Sequence, residues 1–161
     1  MIARPEPLTR AAFQPFGEVL ETAGRKSATI NQGYAQKFAD LARVETPAGR
    51  QAQLSVYRSQ PVSLPFLLQE LECHPLASQA FFPLHSRPFP VVVAPAGEPP
   101  RPTAVRVFMT NGRQGVNLHP GVWHHWQLSL DRESDYLVID CEGAGANLRQ
   151  HRLEGELWLA A

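Results

Sequence analysis

Cysteine is scarce in this chain. Cys73 and Cys141 are the only two in 161 residues, too few for a disulfide scaffold and too far apart for a zinc clip, which favours a reduced, cytosolic protein. Long apolar runs are missing as well. The longest, around residues 90–96, falls far short of a membrane span, and Met1-Ile2-Ala3-Arg4-Pro5-Glu6-Pro7 contains no apolar export segment, so neither membrane insertion nor export is expected. An excess of one charge is also lacking: 15 Lys plus Arg balance 15 Asp plus Glu, and the formal net charge is zero with the six His neutral. Without a basic face, nucleic-acid binding is not expected. No G-x-G-x-x-G, G-x-x-x-x-G-K-[ST] or G-x-S-x-G occurs anywhere, which removes the common dinucleotide, nucleotide and α/β-hydrolase signatures.

What is present points to one all-β domain over residues 1–161. The chain is 43% hydrophobic and 19% charged, with 15 Pro and 11 Gly to punctuate short strands. Thr9 is placed to cap a short helix through Phe13, which Pro15 and Gly17 stop. Strands are expected at residues 18–20, 53–59, 79–84, 89–94, 104–110, 122–130 and 136–141, with a turn at Asn31-Gln32-Gly33-Tyr34. Residues 38–44 are ambiguous. Residues 64–72 read at least as well extended as helical, because Pro61, Pro65 and Pro75 crowd them. Pro95 to Pro102 forms a stiff surface connection.

The chemistry concentrates in residues 112–126, where His119, His124 and His125 lie with Trp123 and Trp126 around Pro120-Gly121. Alternation in the strand after that turn groups His124 with Trp126, Leu128 and Leu130 on an apolar face, and sends His125 toward solvent or a subunit contact. His124 is then either a core histidine bonded to a carbonyl or half of a pair with His119, close across the turn. Such a pair can hold a divalent metal, with Glu70, Glu72 or His74 completing the set, or divide base and acid roles. Arg58 shares a strand face with Leu54 and Val56, so alternation aims its guanidinium inward. There it either pairs with Asp140 or clamps a substrate carboxylate. Phe81 and Trp123 are core or contact residues that could also wall an apolar pocket.

These residues resemble a cupin. Gly115, Pro120, Gly121 and His124 are similar to the second cupin motif, and the first is degenerate at residues 74–83, with one His and Gln79 where metal-binding cupins carry two His and a Glu. Within that class the chain resembles the ureidoglycolate lyase family, formerly called ureidoglycolate hydrolase. The resemblance runs through Ile30-Asn31-Gln32-Gly33, Arg58-Ser59-Gln60-Pro61, Glu70 to Leu76, Gln79-Ala80-Phe81, Thr110-Asn111-Gly112, Gln114 to Asn117 and Gly121 to His125. It implies a cupin-type double-stranded β-helix, a jelly-roll-like barrel with a short N-terminal helix, in a cytosolic homodimer. It also implies cleavage of (S)-ureidoglycolate to glyoxylate and urea in allantoin and purine catabolism, in association with nickel, manganese or another divalent metal.

On that reading His119 and His124 act as base and acid or ligate the metal, with Glu72 and His74 as further ligands, and Arg58 anchors the carboxylate. Gln79 and Asn117 bond the urea end, and Trp123, Phe81 and Asp140 complete the substrate pocket. Two alternatives stand beside it: a hydrolase releasing ammonia, and a non-catalytic cupin that binds a small carboxylate.

Overall fold

A computed structural model describes residues 1–141 and 147–161. Thr9 caps α1 (Arg10–Phe13) as its spacing predicts, its Oγ1 accepting from Ala12 N at 3.2 Å, and Phe13 at the end of the helix is fully buried. Among the described residues there are fourteen strands: β1 (Ile2–Ala3), β2 (Glu6–Pro7), β3 (Gly17–Leu20), β4 (Ala28–Ile30), β5 (Ala35–Lys37), β6 (Ala52–Ser59), β7 (Phe66–Cys73), β8 (Gln79–Pro83), β9 (Pro90–Ala94), β10 (Arg106–Met109), β11 (Gly115–Leu118), β12 (Trp123–His124), β13 (Ser134–Cys141) and β14 (Arg149–Leu159). They form a seven-stranded sheet in the order β1-β14-β7-β12-β9-β10-β2, a five-stranded sheet in the order β3-β11-β8-β13-β6, and the separate hairpin β4-β5. The curled sheets give the nearly all-β architecture expected of a cupin barrel.

Strand β9 shows why the larger sheet is stable. All five of its residues are buried. Val91 and Val93 pack into a core between the sheets with Phe81, Phe108, Val116 and Val138, while Val92 and Ala94 enter a second core with Leu68, Trp123, Leu157 and Leu159. A strand covered on both faces needs no alternation, and Pro90-Val91-Val92-Val93-Ala94 has none. Gly115 does similar work in the smaller sheet. A Cβ there would lie 2.5 Å from the Phe81 carbonyl and 2.7 Å from the Phe82 ring, so β11 can approach β8 only without a side chain.

Two open readings are resolved and one expectation needs adjustment. Within residues 64–72 the extended reading holds from Phe66 onward in β7, and residues 38–44, left ambiguous, adopt no regular element. Only Trp123–His124 of the strand expected at residues 122–130 joins a ladder; beyond it the chain crosses toward β6, where Val62 N donates to Ser129 O. The longest strand among the described residues, β14, carries no clear period-2 signal in the sequence. Its pairing with β7 shifts register between Arg152 and Leu157, around Gly155 at φ 85, and that irregularity breaks the period-2 pattern.

Candidate active site

The site is built where β7 meets β12. Glu72 and His124 are directly paired across the ladder, which sets their side chains on one face. His74, just past the end of β7, returns to the same face, and its ring centroid lies 5.4 Å from that of His124. One ligand atom from each of Glu72, His74 and His124 lies within 4.8 Å of the others.

The tautomers follow from the backbone. Nδ1 of His74 lies 2.8 Å from the Asn147 carbonyl, and Nδ1 of His124 lies 3.0 Å from the Val122 carbonyl. A carbonyl can only accept, so each ring carries its proton on Nδ1 and turns the lone pair of Nε2 toward the cluster. Both Nε2 atoms are buried without a hydrogen-bond partner. Burial pushes His124 down to about 3, with the Val122 carbonyl opposing and His74 and His125 adding to the shift. At neutral pH its contact with Glu72, 3.7 Å from Nε2 to Oε1, therefore joins a neutral ring to a carboxyl group and is no salt bridge. Burial also raises Glu72, against the pull of His74. With Glu72 ionised, three acceptors converge with no donor among them, an arrangement that a divalent cation satisfies. The residues thus fit a metal, although the motif around Gln79 is degenerate.

Beside the cluster lies a cavity of about 310 Å³ whose lining includes Gln53, Tyr57, Glu72, His74, Gln79 and Asp140. This volume suits a small metabolite. Tyr57 donates its hydroxyl to Asp140 Oδ2 at 3.3 Å, and burial together with the nearby Asp140 raises its pKa. Asp140 Oδ1 and Gln79 Oε1 remain buried without partners. No Arg or Lys lines this cavity among the described residues. A neighbouring cleft shares Tyr57 and Glu72 and is also lined by Phe81, Trp126 and Arg58.

Several expected site residues lie elsewhere. Alternation in β6 runs opposite to the sequence reading: Leu54 and Val56 are 68% and 57% exposed, and Tyr57 takes the inner face. Arg58 accordingly lies outside, held by Asp135 through bonds of 2.8 and 2.9 Å rather than by Asp140. Both faces of this edge strand carry apolar groups, so alternation alone could not choose between them. Asn117 also points outward, donating from Nδ2 to Glu18 Oε2 at 2.9 Å and to the Arg43 carbonyl at 3.0 Å. His119 follows it, half exposed with Nδ1 3.9 Å from Glu18, and the imidazole beside His124 is His74 instead.

Trp123, next in sequence to His124, faces the second core and donates Nε1 to the Gly97 carbonyl. His125 is 5% exposed, not solvent-facing, because the chain leaves the ladder after His124; its ring packs on Phe66 and burial lowers it to about 4. Phe81 does face inward, its ring edge-on to those of His124 and Tyr57. Tyr57, Gln53 and Asn147 were missed. The first two could have been found by taking the other face of β6, whereas Asn147 is brought to His74 only by the tertiary fold.

A sequence profile described as ureidoglycolate lyase matches residues 1–160. A ureidoglycolate lyase of Pseudomonas aeruginosa (strain LESB58) is 49% identical over 147 residues, covering 91% of this chain and 87% of that protein. One from Burkholderia mallei (strain NCTC 10229) is 49% identical over 155 residues, 96% of this chain and 91% of that protein. Another, from Azotobacter vinelandii, is 50% identical over 147 residues, 91% of this chain and 89% of that protein.

Proposed function

We propose, for a chain that belongs to the ureidoglycolate lyase family, that it cleaves (S)-ureidoglycolate to glyoxylate and urea as a cytosolic enzyme of allantoin and purine catabolism. The observation that carries the reading is the convergence of partnerless buried acceptors, at His74, His124, Gln79 and Asp140, in and beside one small cavity. It is their convergence on one cavity, rather than the lack of a partner by itself, that supports a ligand-binding role, since Arg25, His85, Arg87, Asn117 and His125 also keep an unpartnered buried atom.

Ureidoglycolate is a carbinolamide. Its central carbon bears a hydroxyl, a carboxylate and a ureido nitrogen. Cleavage removes the hydroxyl proton, forms the carbonyl of glyoxylate as the carbon–nitrogen bond breaks, and places one proton on the departing nitrogen, so no water is consumed.

Glu72, His74 and His124 would hold a divalent metal such as nickel or manganese. When bound, such an ion lowers the pKa of a hydroxyl next to it. Asp140 Oδ1 is the acceptor for that hydroxyl proton, and the Tyr57 hydroxyl on Oδ2 keeps the carboxylate oriented. Gln79 Oε1 accepts an N–H from the ureido end. His119, Asn117 and Trp123 take no direct part in this scheme, and Arg58 contributes only from the neighbouring cleft.

The test is incubation of the metal-stripped protein with ureidoglycolate, following glyoxylate, urea and ammonia together, with and without nickel or manganese. Glyoxylate with urea in equal amounts is expected, with metal restoring turnover. Ammonia in place of urea would convert the reading to a hydrolase, and no glyoxylate under any condition would leave a carboxylate-binding cupin.

A further inference from the structure

Two of the three groups in the cluster sit in a ladder. Glu72 and His124 are paired across β7 and β12, so the sheet itself fixes their separation. His74 has no such support. β7 ends at Cys73, whose ladder partner is Arg149 at the start of β14, and the pairing goes no further in that direction. Pro75 has no N–H to offer. The Leu76 side chain is 47% exposed, so the span from His74 to Leu76 gains little from a core either.

What holds that span is polar. The His74 carbonyl accepts from Gly121 N at 2.8 Å. Asn147 grips the same span at two points: its carbonyl accepts from His74 Nδ1 at 2.8 Å, and its side-chain Oδ1 accepts from Leu76 N, also at 2.8 Å. Asn147 is buried and lines the cavity. Because one residue makes both bonds, the side-chain bond to Leu76 N sets how far the Asn147 backbone stands from the His74 turn, and with it the reach of the carbonyl to Nδ1. That reach matters for the cluster. A neutral imidazole in water carries its proton mainly on Nε2, and a proton there would cover the lone pair that His74 turns toward Glu72 and His124.

We propose that Asn147 is a positioning residue for the metal: its side-chain amide, by holding Leu76 N, sets its own carbonyl on His74 Nδ1 and keeps the Nε2 lone pair open to the cluster.

The inference rests on the reading of Glu72, His74 and His124 as metal ligands. Wild-type protein is therefore titrated first with nickel and with manganese by calorimetry, and turnover of ureidoglycolate is followed separately. Binding of neither metal overturns the inference, whereas bound metal without turnover counts only against the proposed cleavage. The His74 tautomer is then read from nitrogen–proton correlation spectra of the metal-free protein, where neither metal nor substrate contributes. The proton is expected on Nδ1 in the wild type and on Nε2 in Asn147→Ala, and nickel should bind Asn147→Ala about 10- to 100-fold more weakly. Asn147→Asp keeps an acceptor at Oδ1 and is expected to retain the proton on Nδ1. Should Asn147→Ala fail to fold, Asn147→Ser, with its shorter side chain, carries the same expectation. A purely structural Asn147 would lower the thermal midpoint and leave both the tautomer and the nickel affinity at their wild-type values, and that result overturns the proposal.

Discussion

Tyr57 and Arg58 are neighbours on β6, yet one lines the cavity and the other lies outside it. The contrast extends through the five-stranded sheet. On the outer face Arg58 meets Asp135 in a two-bond pair, and Asn117 bonds Glu18 and a carbonyl. On the inner face and in the β7–β12 cluster it meets, Gln79, Asp140, His74 and His124 each keep one buried atom without a partner. Leaving a buried polar group unpaired costs about 1–3 kcal/mol. Unpartnered buried atoms also occur away from the site, at Asn117 on the outer face and at Arg25, His85, Arg87 and His125. What distinguishes the inner face is that four of them gather around one cavity and the cluster beside it.

The largest effect that sharpens this contrast comes from the cluster itself. Glu72→Gln or His124→Ala should lower kcat by about 10³-fold with circular dichroism unchanged, and should abolish nickel or manganese binding by calorimetry. Near-normal turnover in either variant would erase the distinction between the faces.

Tyr57→Phe keeps the ring against Phe81 and removes only the bond to Asp140. A fall in kcat of roughly 10-fold to 100-fold, with little change in thermal midpoint, is expected; a large loss of stability instead would make Tyr57 a structural residue.

A smaller effect comes from the far end of the inner layer, where His85 packs edge-on to Tyr136 and accepts from Arg87 N at 3.1 Å. Burial, with Arg87 adding and Asp135 opposing, lowers its pKa below the ordinary 6.5. As pH falls through 6.5 the unfolded chain takes up this proton before the folded one does. The contribution of His85 is therefore complete above 6.5 and is lost progressively below it. Denaturant midpoints measured from pH 7.5 to 5 should fall, and should fall less in a His85→Phe variant.

The smallest effect is expected on the outer face. Arg58→Ala removes an exposed pair, so the thermal midpoint should stay close to wild type, and kcat should change far less than in Tyr57→Phe. A loss of activity as large as that of Glu72→Gln would restore Arg58 to the substrate.

Much of the site was readable before folding was considered. Glu72, His74, His124, Gln79, Phe81 and Asp140 are all named from the sequence, and the structure gathers them in the cluster, the cavity beside it or the neighbouring cleft. Arg58 and His125 are placed by alternation and His119 by nearness in sequence, and the structure sets them elsewhere because a strand face cannot be read where both faces are partly apolar or where the ladder stops after two residues; Asn117 is assigned by the resemblance alone. Strand β14 escaped for a related reason, since its register shift at Gly155 interrupts the pattern.

Local signals were enough for the all-β class, the capped helix at Thr9, the buried run of β9 and the family, because each depends on composition, on neighbours in the chain or on a motif. Which side of β6 turns inward, which imidazole accompanies His124 and which carbonyl orients His74 were decided only by tertiary pairing. Those choices depend on contacts between residues far apart in sequence, such as Glu72 with His124 and His74 with Asn147, and no local pattern encodes a long-range register.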